Sequence, residues 1–323
     1  MEPDDGDSPA AHAFTEGSDT EMSKDTARKV TALRNNAALY WLSAPAVLLL
    51  AATLIAPMVM AVNSSLHAGK TGSLADLGEW IGFANYQSLF SDPALRASLV
   101  VTVFFCLGTV VLTSVGGYCI ALVLVRKSVA STLVLILVMV GWAMPLIVNG
   151  LLWRLIYDPV QSPINSFFNH LGVTLPDAMA NPLGTPTGAL IGTIVAYAWK
   201  MIPFTAILLF GALQERSPEI YAAAKLDGAN IWQTFRHLTL PLTRPVLLIV
   251  VTLSTIWSLR EFDTIYVLTK GGPGSATTTL NWFAYTQTFE YGSVGLGTAL
   301  AVLLGGLAVV ITAIYTLVLG EKD

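Results

Sequence analysis

Ser254, Trp257, Ser258 and Glu261 recur at i, i+3, i+4 and i+7, so a helix would carry all four on one face of a run that is otherwise apolar. In an earlier apolar run, Trp199, Lys200 and Phe204 occupy neighbouring turns. Unpaired polar groups facing hydrocarbon are costly, so such residues point to a solute path or to helix–helix contact. As a path, they suit a polyhydroxylated solute: aromatic faces stack on the C–H surface of a sugar ring, while serine hydroxyls and a carboxylate meet its hydroxyls. As contacts, Trp257 and Phe204 pack between helices, and Ser254 and Ser258 serve as interhelical hydrogen-bond donors. Both readings stand at this level. A span starting near Gly188 puts Lys200 about 18 Å from one end, and Glu261 lies about 24 Å along a span counted from Pro245. Their depths then differ by a turn or two, which admits an intramembrane ion pair, with Arg260 a competing partner.

Other chemistry finds no residues to carry it. His12, His67, His170 and His237 are scattered without metal-ligand spacing, so no metal site is expected. Neither a G-x-S-x-G elbow nor an H-E-x-x-H helix occurs, so no catalytic residue is assigned. The G-x-x-x-x-G-K-[ST] loop that cradles nucleotide phosphates is also missing, and no cofactor is expected in this chain. Cys106 and Cys119 are 13 residues apart in one apolar run, roughly 20 Å of helical rise, too far to bridge. Gly116-Gly117 and Gly305-Gly306 fit close helix approach.

The elements that position these residues follow from composition. Of 323 residues, 12% are charged and 54% hydrophobic, with a mean hydropathy of +0.64, which excludes an ordinary soluble domain. The formal charge of -4 belongs to one segment: residues 1–23 hold seven acids and no Lys or Arg, leaving 17 basic against 14 acidic side chains elsewhere. A disordered acidic tail over 1–34 is therefore expected, without the features of a secretory signal. With no basic stripe, nucleic acid is excluded as a partner.

Six segments reach the roughly 20 apolar residues needed to cross a bilayer, at 37–62, 97–125, 128–153, 188–213, 245–268 and 293–319. An even number puts both termini on one side. With that side cytoplasmic, 11 of the 17 basic residues fall in cytoplasmic segments, including Arg126, Lys127, Arg216, Lys225, Arg236 and Arg244. The expectation is an all-α, multi-pass protein of the cytoplasmic membrane with both termini inside, its body covering 35–320 and its outer loops 63–96, 158–187 and 269–292.

The cytoplasmic loop at 214–243 carries local structure of its own. Ser217, Pro218 and Glu219 form a helix start, 220–226 a short helix, Gly228 a turn, and 231–238 a second helix ended by Pro241. Its apolar residues are too few for a core, so the hairpin is expected to dock on another protein. The loop resembles the EAA loop of the membrane subunits of ABC importers, with Ala223, Ala224, Gly228 and Leu238-Thr239-Leu240-Pro241 at the motif positions. Asp227-Gly228-Ala229 and Trp232-x-x-Phe235 look like the carbohydrate branch. The motif glutamate is replaced by Ala222, leaving Glu219, one turn earlier, as the nearest carboxylate. Phe83-Ala84-Asn85-Tyr86, Trp199-Lys200-x-x-Pro203-Phe204 and Leu268-Thr269-x-Gly271-Gly272-Pro273 are similar to maltose- and glycerol-phosphate-type permeases, so the likeness covers roughly 35–320.

The resemblance implies a permease subunit of an ATP-driven, binding-protein-dependent importer of a carbohydrate or glycerol-phosphate-like solute. Its partners would be a second homologous permease, a dimer of ATPase subunits that bind the ATP and Mg, and an extracytoplasmic solute-binding protein, all around membrane lipid. Glu219, Ala222, Ala223, Ala224, Asp227, Gly228 and Pro241 would form the coupling loop. In the maltose branch the sugar site is built from the fourth and fifth spans, the positions of Trp199, Lys200, Phe204, Ser254, Trp257, Ser258 and Glu261. The competing class is an ion-coupled secondary transporter, which predicts paired repeats with interrupted helices and gives no reason for a docking loop.

Overall fold

The computed structural model describes residues 42–69, 77–126, 128–215 and 217–320; the tail expected over 1–34 lies outside them. Among the described residues the chain is helical and contains no strand, only one antiparallel bridge between His67 and Trp80. It divides into a unit ending at Met60 and a second running from Ala61. The first long helix is α1 (Leu42–Ser65).

Within the second unit, α2 (Ala84–Ser91) precedes the 32-residue α3 (Pro93–Leu124). Asp92 caps α3, its carboxylate accepting from the Ala94 amide at 2.8 Å, with Pro93 at the first helical position. The helix therefore begins four residues before its apolar run. Likewise Thr185 caps α8 (Pro186–Gln214), once α4 (Val129–Ala143), α5 (Leu146–Ile156), α6 (Pro163–His170) and α7 (Asp177–Ala180) have passed.

Segment 128–153, expected as one helix, is two: α4 and α5 are bent by 105° to each other. Pro145 has no amide to donate, and it drives Met144 into an extended conformation (ψ 140°). Counted as one span, the bent pair would be the third of six. Gly108 and Gly116 of α3 face Ile194 and Ile202 of α8; the numbers rise together, so α3 and α8 run parallel. Between them α4 starts beside a cleft that includes Phe210, while Asn149 and Tyr157 of α5 donate to the carbonyls of Ala196 (3.2 Å) and Gly192 (3.1 Å). From Phe210 to Gly192 is about 27 Å of helical rise, close to a hydrocarbon core of about 30 Å.

The fifth segment differs too. After α9 (Pro218–Leu226), the short α10 (Ile231–Thr234) continues through a π-helical turn at Phe235–Thr239 into α11 (Leu240–Leu259). These form one 29-residue helix, and Pro241 does not end it. The wider turn explains this: the Leu240 amide reaches back five residues to the Phe235 carbonyl, and the changed register accommodates a ring that would clash in a regular α-turn. The helix stops at Leu259, short of the expected 268, and α12 (Asp263–Leu268) follows a three-residue break. The chain closes with α13 (Leu280–Tyr285), a second π turn at Thr286–Glu290 and α14 (Val294–Gly320).

Two cores hold the unit. Tyr118 and Ala121 of α3 pack on Leu209, Leu213 and Val250 at one end, and Leu89 and Leu95 pack on Leu280, Phe283, Ala299 and Leu300 at the other. Asn85 donates to the Ser65 and His67 carbonyls (2.8 and 2.9 Å), satisfying the orphan end of α1. Among the described residues, four helices besides the α10–α11 rod, namely α1, α3, α8 and α14, are long and apolar enough to cross a membrane, which makes five, or six with the bent α4–α5 pair counted as one span.

Candidate functional site

Trp257 and Phe204 meet, their ring centroids 4.8 Å apart and tilted by 63°. Trp142 at the end of α4 also stacks on Phe204, at 6.3 Å and 25°. A second group joins Trp199 to Trp153 (6.0 Å) and Trp153 to Tyr157 (5.1 Å). Phe204, Trp257 and Trp153 are half-buried, and Trp142 and Trp199 are exposed, so the rings form a partly open aromatic surface.

The polar members of the stripe lie deeper. Ser254, Ser258 and Glu261 are all under a tenth exposed, and Ser258 donates within its own helix to the Thr255 carbonyl at 3.0 Å. Glu261 has left the helical register, because α11 ends at Leu259. The expected face is therefore a half-exposed tryptophan beside an inward-turned serine pair, with the carboxylate in the break beyond.

Lys200 and Glu261 do not form the ion pair that their depths admitted. Lys200 Nζ donates to the carbonyls of Trp142 and Met144, at the broken end of α4. Glu261 Oε1 accepts from the Thr264 amide at 2.6 Å, capping the start of α12. Arg154 donates to the Val267 carbonyl, in the last turn of α12, at 3.2 Å. Each charge has the sign its helix end favours: cations at carbonyl ends, the anion at an amide end. The breaks create orphan backbone groups, which the buried Lys200 and Glu261 and the exposed Arg154 satisfy.

Three further groups were not singled out by residue type and spacing. Asn149 Oδ1, Trp153 Nε1 and Thr264 Oγ1 are buried and unpartnered, and Asn149 is fully buried. Asn149 and Trp153 lie one turn apart on α5, which packs on α12 with Gly150 against Val267. A buried unmet acceptor and donor cost free energy unless something comes to meet them. The lone amide and the proline inside an apolar run, Asn149 and Pro145, were the signal that could have found them. Beyond the break, Phe262, Tyr266, Trp282 and Tyr285 form a further aromatic group with centroids 4.8 to 6.1 Å apart.

At the other end, the hairpin of α9 and α10 is built as its residues dictate. Ser217 Oγ accepts from the Glu219 amide at 3.3 Å and Pro218 opens α9. Gly228 has φ +78°, and the Ala229 amide closes on the Ala224 carbonyl at 3.0 Å. Asn230 and Gln233 cap α10 reciprocally, both at 2.8 Å. Glu219, Ala222, Ala223, Asp227, Gly228 and Pro241 are exposed and Ala224 is half-buried. Leu226 is 90%, Ile231 91% and Trp232 64% exposed, an apolar tip with nothing on it.

Multiple apolar helices, with one bent pair whose freed carbonyls are met by a lysine, define a multi-pass helical membrane protein of the transporter type. Residues 113–319 match the family described as binding-protein-dependent transport system inner membrane component, and the chain belongs to that family. It is 36% identical over 236 residues to the trehalose/maltose transport system permease protein MalF of Thermococcus litoralis, covering 73% of this chain and 78% of that one. It is 30% identical to the sulfoquinovosyl glycerol transport system permease protein SmoG of Agrobacterium fabrum, over 87% of this chain and 90% of that one. The fold matches a solved bacterial alginate ABC transporter, in complex with an alginate pentasaccharide-bound periplasmic protein, with a TM-score of 0.75. That match covers 88% of this chain and 95% of the other at 18% identity. The family is one of inner-membrane transport components and not of enzymes; the ion-coupled secondary transporter finds no support in it.

Proposed function

We propose that this chain is one of two permease subunits of an ATP-driven importer for a carbohydrate, supplying half of the translocation path and coupling it to a separate ATPase. The observation that carries the reading is the surface built by Trp142, Phe204 and Trp257, flanked by Trp153 and Trp199, with the unmet Asn149 acceptor and Trp153 donor on α5. Rings hold the apolar face of a sugar, and an acceptor and a donor one turn apart meet its hydroxyls. Ser254, Ser258 and Glu261 stand behind the aromatic surface. The names of MalF and SmoG, for trehalose or maltose and for a sugar glycoside, favour the same solute class.

The α9–α10 hairpin is the coupling element. Leu226, Ile231 and Trp232 seat in a groove of the ATPase, while Glu219 stands in for the carboxylate that Ala222 lacks. ATP and Mg belong to that ATPase dimer. The hairpin continues without interruption into α11, so its motion is carried along a 29-residue rod to Trp257. Both termini then face the cytoplasm, and the binding protein delivers solute at the opposite face.

Reconstitution with the second permease, the ATPase and the binding protein tests this. Solute-loaded binding protein is expected to stimulate ATP hydrolysis and drive uptake of at least one member of a panel of disaccharides, amino sugars and glycerol phosphodiesters. Accumulation on a proton or sodium gradient without the ATPase would overturn it.

A further inference from the structure

Lys200 is 6% exposed and ends at the Trp142 and Met144 carbonyls, which the bend after α4 strips of their helical partners. Among the described residues it meets no carboxylate. The same few residues hold the aromatic surface: Trp142 stacks on Phe204, and a Cβ added at Gly141 would come within 3.0 Å of the Trp199 ring. Lys200 thus reaches from α8 to the backbone of the very residue whose ring forms one wall of the proposed path.

We infer that Lys200 is a positioning residue that clasps the third span in its broken form and so sets where Trp142 and the α5 half-helix stand, without touching the solute. An ammonium with three donors can meet both orphan carbonyls; a neutral side chain of similar length leaves them unpaired in the apolar layer. That cost is relieved when the span straightens to recover its own hydrogen bonds, which carries Trp142 away from Phe204. Arginine keeps the charge and the donors, and a methionine keeps only the volume. The 15 residues of α4 and 11 of α5 are about 22 and 16 Å long; bent by 105° their far ends lie about 24 Å apart, against about 38 Å when straight.

The inference rests on the carbohydrate reading only for its uptake arm, so the test has two arms in the assembled importer. In the first, Cys106 and Cys119 are replaced by serine, spin labels are placed at Val129→Cys and Leu155→Cys, and the distance between them is measured by double electron–electron resonance. The expected result is a short distance in the parent and in Lys200→Arg, with Lys200→Met shifting population beyond about 30 Å or broadening strongly toward it. In the second, Lys200→Met raises the KM for uptake by roughly tenfold, the loss expected for hydrogen bonds to a charged group, while Lys200→Arg restores most of it. An unchanged distance in Lys200→Met overturns the clasp, whether or not KM moves; a raised KM with an unchanged distance makes Lys200 a direct solute contact. Failure of the parent itself to take up any carbohydrate counts against the proposed function and leaves the distance arm to decide the clasp.

Discussion

Gly228 offers a sharp test of the hairpin as a mechanical element, because conformation and size can be separated there. Its φ of +78° lies where an L-residue pays about 1–2 kcal/mol, yet a Cβ built on it meets no atom within 4 Å. Within the chain, substitution is therefore purely a backbone matter. Asparagine, which tolerates the left-handed region, should cost little. Alanine should cost about 1 kcal/mol, roughly a fivefold loss of the native turn, and valine more through its branched Cβ. Strain there would release the Ala229 amide from the Ala224 carbonyl and change the angle between α9 and the α10–α11 rod. The expected order of solute uptake per ATP hydrolysed is Gly, Asn, Ala, Val, with alanine about fivefold down and amounts of assembled complex equal. Proteoliposomes with binding protein inside or outside, assayed for both uptake and phosphate release, read this ratio directly. An order that follows side-chain volume, with asparagine worse than alanine, would show that the ATPase surface and not the turn is limiting. Normal uptake by Gly228→Trp would refute the coupling role altogether.

Three further outcomes follow from the same structure. Glu219→Ala should lower binding-protein-stimulated ATP hydrolysis, and adding Ala222→Glu should restore it, since the two positions lie one turn apart on the exposed face of α9; a double variant no better than the single one removes Glu219 from the contact. Tyr118→Phe deletes the hydroxyl that bonds Thr243 Oγ1 and approaches the Thr239 carbonyl beside the π turn; it should cost about 1 kcal/mol and lower the melting temperature of the detergent-purified complex, and an unchanged melt argues against that bond. Asn149→Leu removes the buried unmet acceptor assigned to the solute and should raise KM about tenfold for every transported carbohydrate, while an unaltered KM takes α5 out of the path.

What could be read in advance was whatever depends on neighbours in the chain. Apolar length set the crossings, and Ser217-Pro218-Glu219 with Gly228 set the hairpin, because capping and a left-handed turn are satisfied within a few residues. The proline at the break was visible as well, but a proline by itself does not decide whether a helix ends. Pro203 and Pro245 sit inside continuous helices, and Pro241 rides on a π turn, whereas Pro145 ends α4. A break in the apolar layer can persist only if the freed carbonyls find donors, and here the donor is Lys200, 56 and 58 residues later on another helix. The same reason explains why depth arithmetic misled for Lys200 and Glu261. Rise along a helix places two charges at one level, but each charge answers to the nearest unmet backbone dipole. A carbonyl end and an amide end lay closer than the opposite charge did. Intramembrane charges in a chain with broken spans should therefore be assigned first to helix ends, and only the polar groups left over, such as Asn149 and Trp153, to the solute.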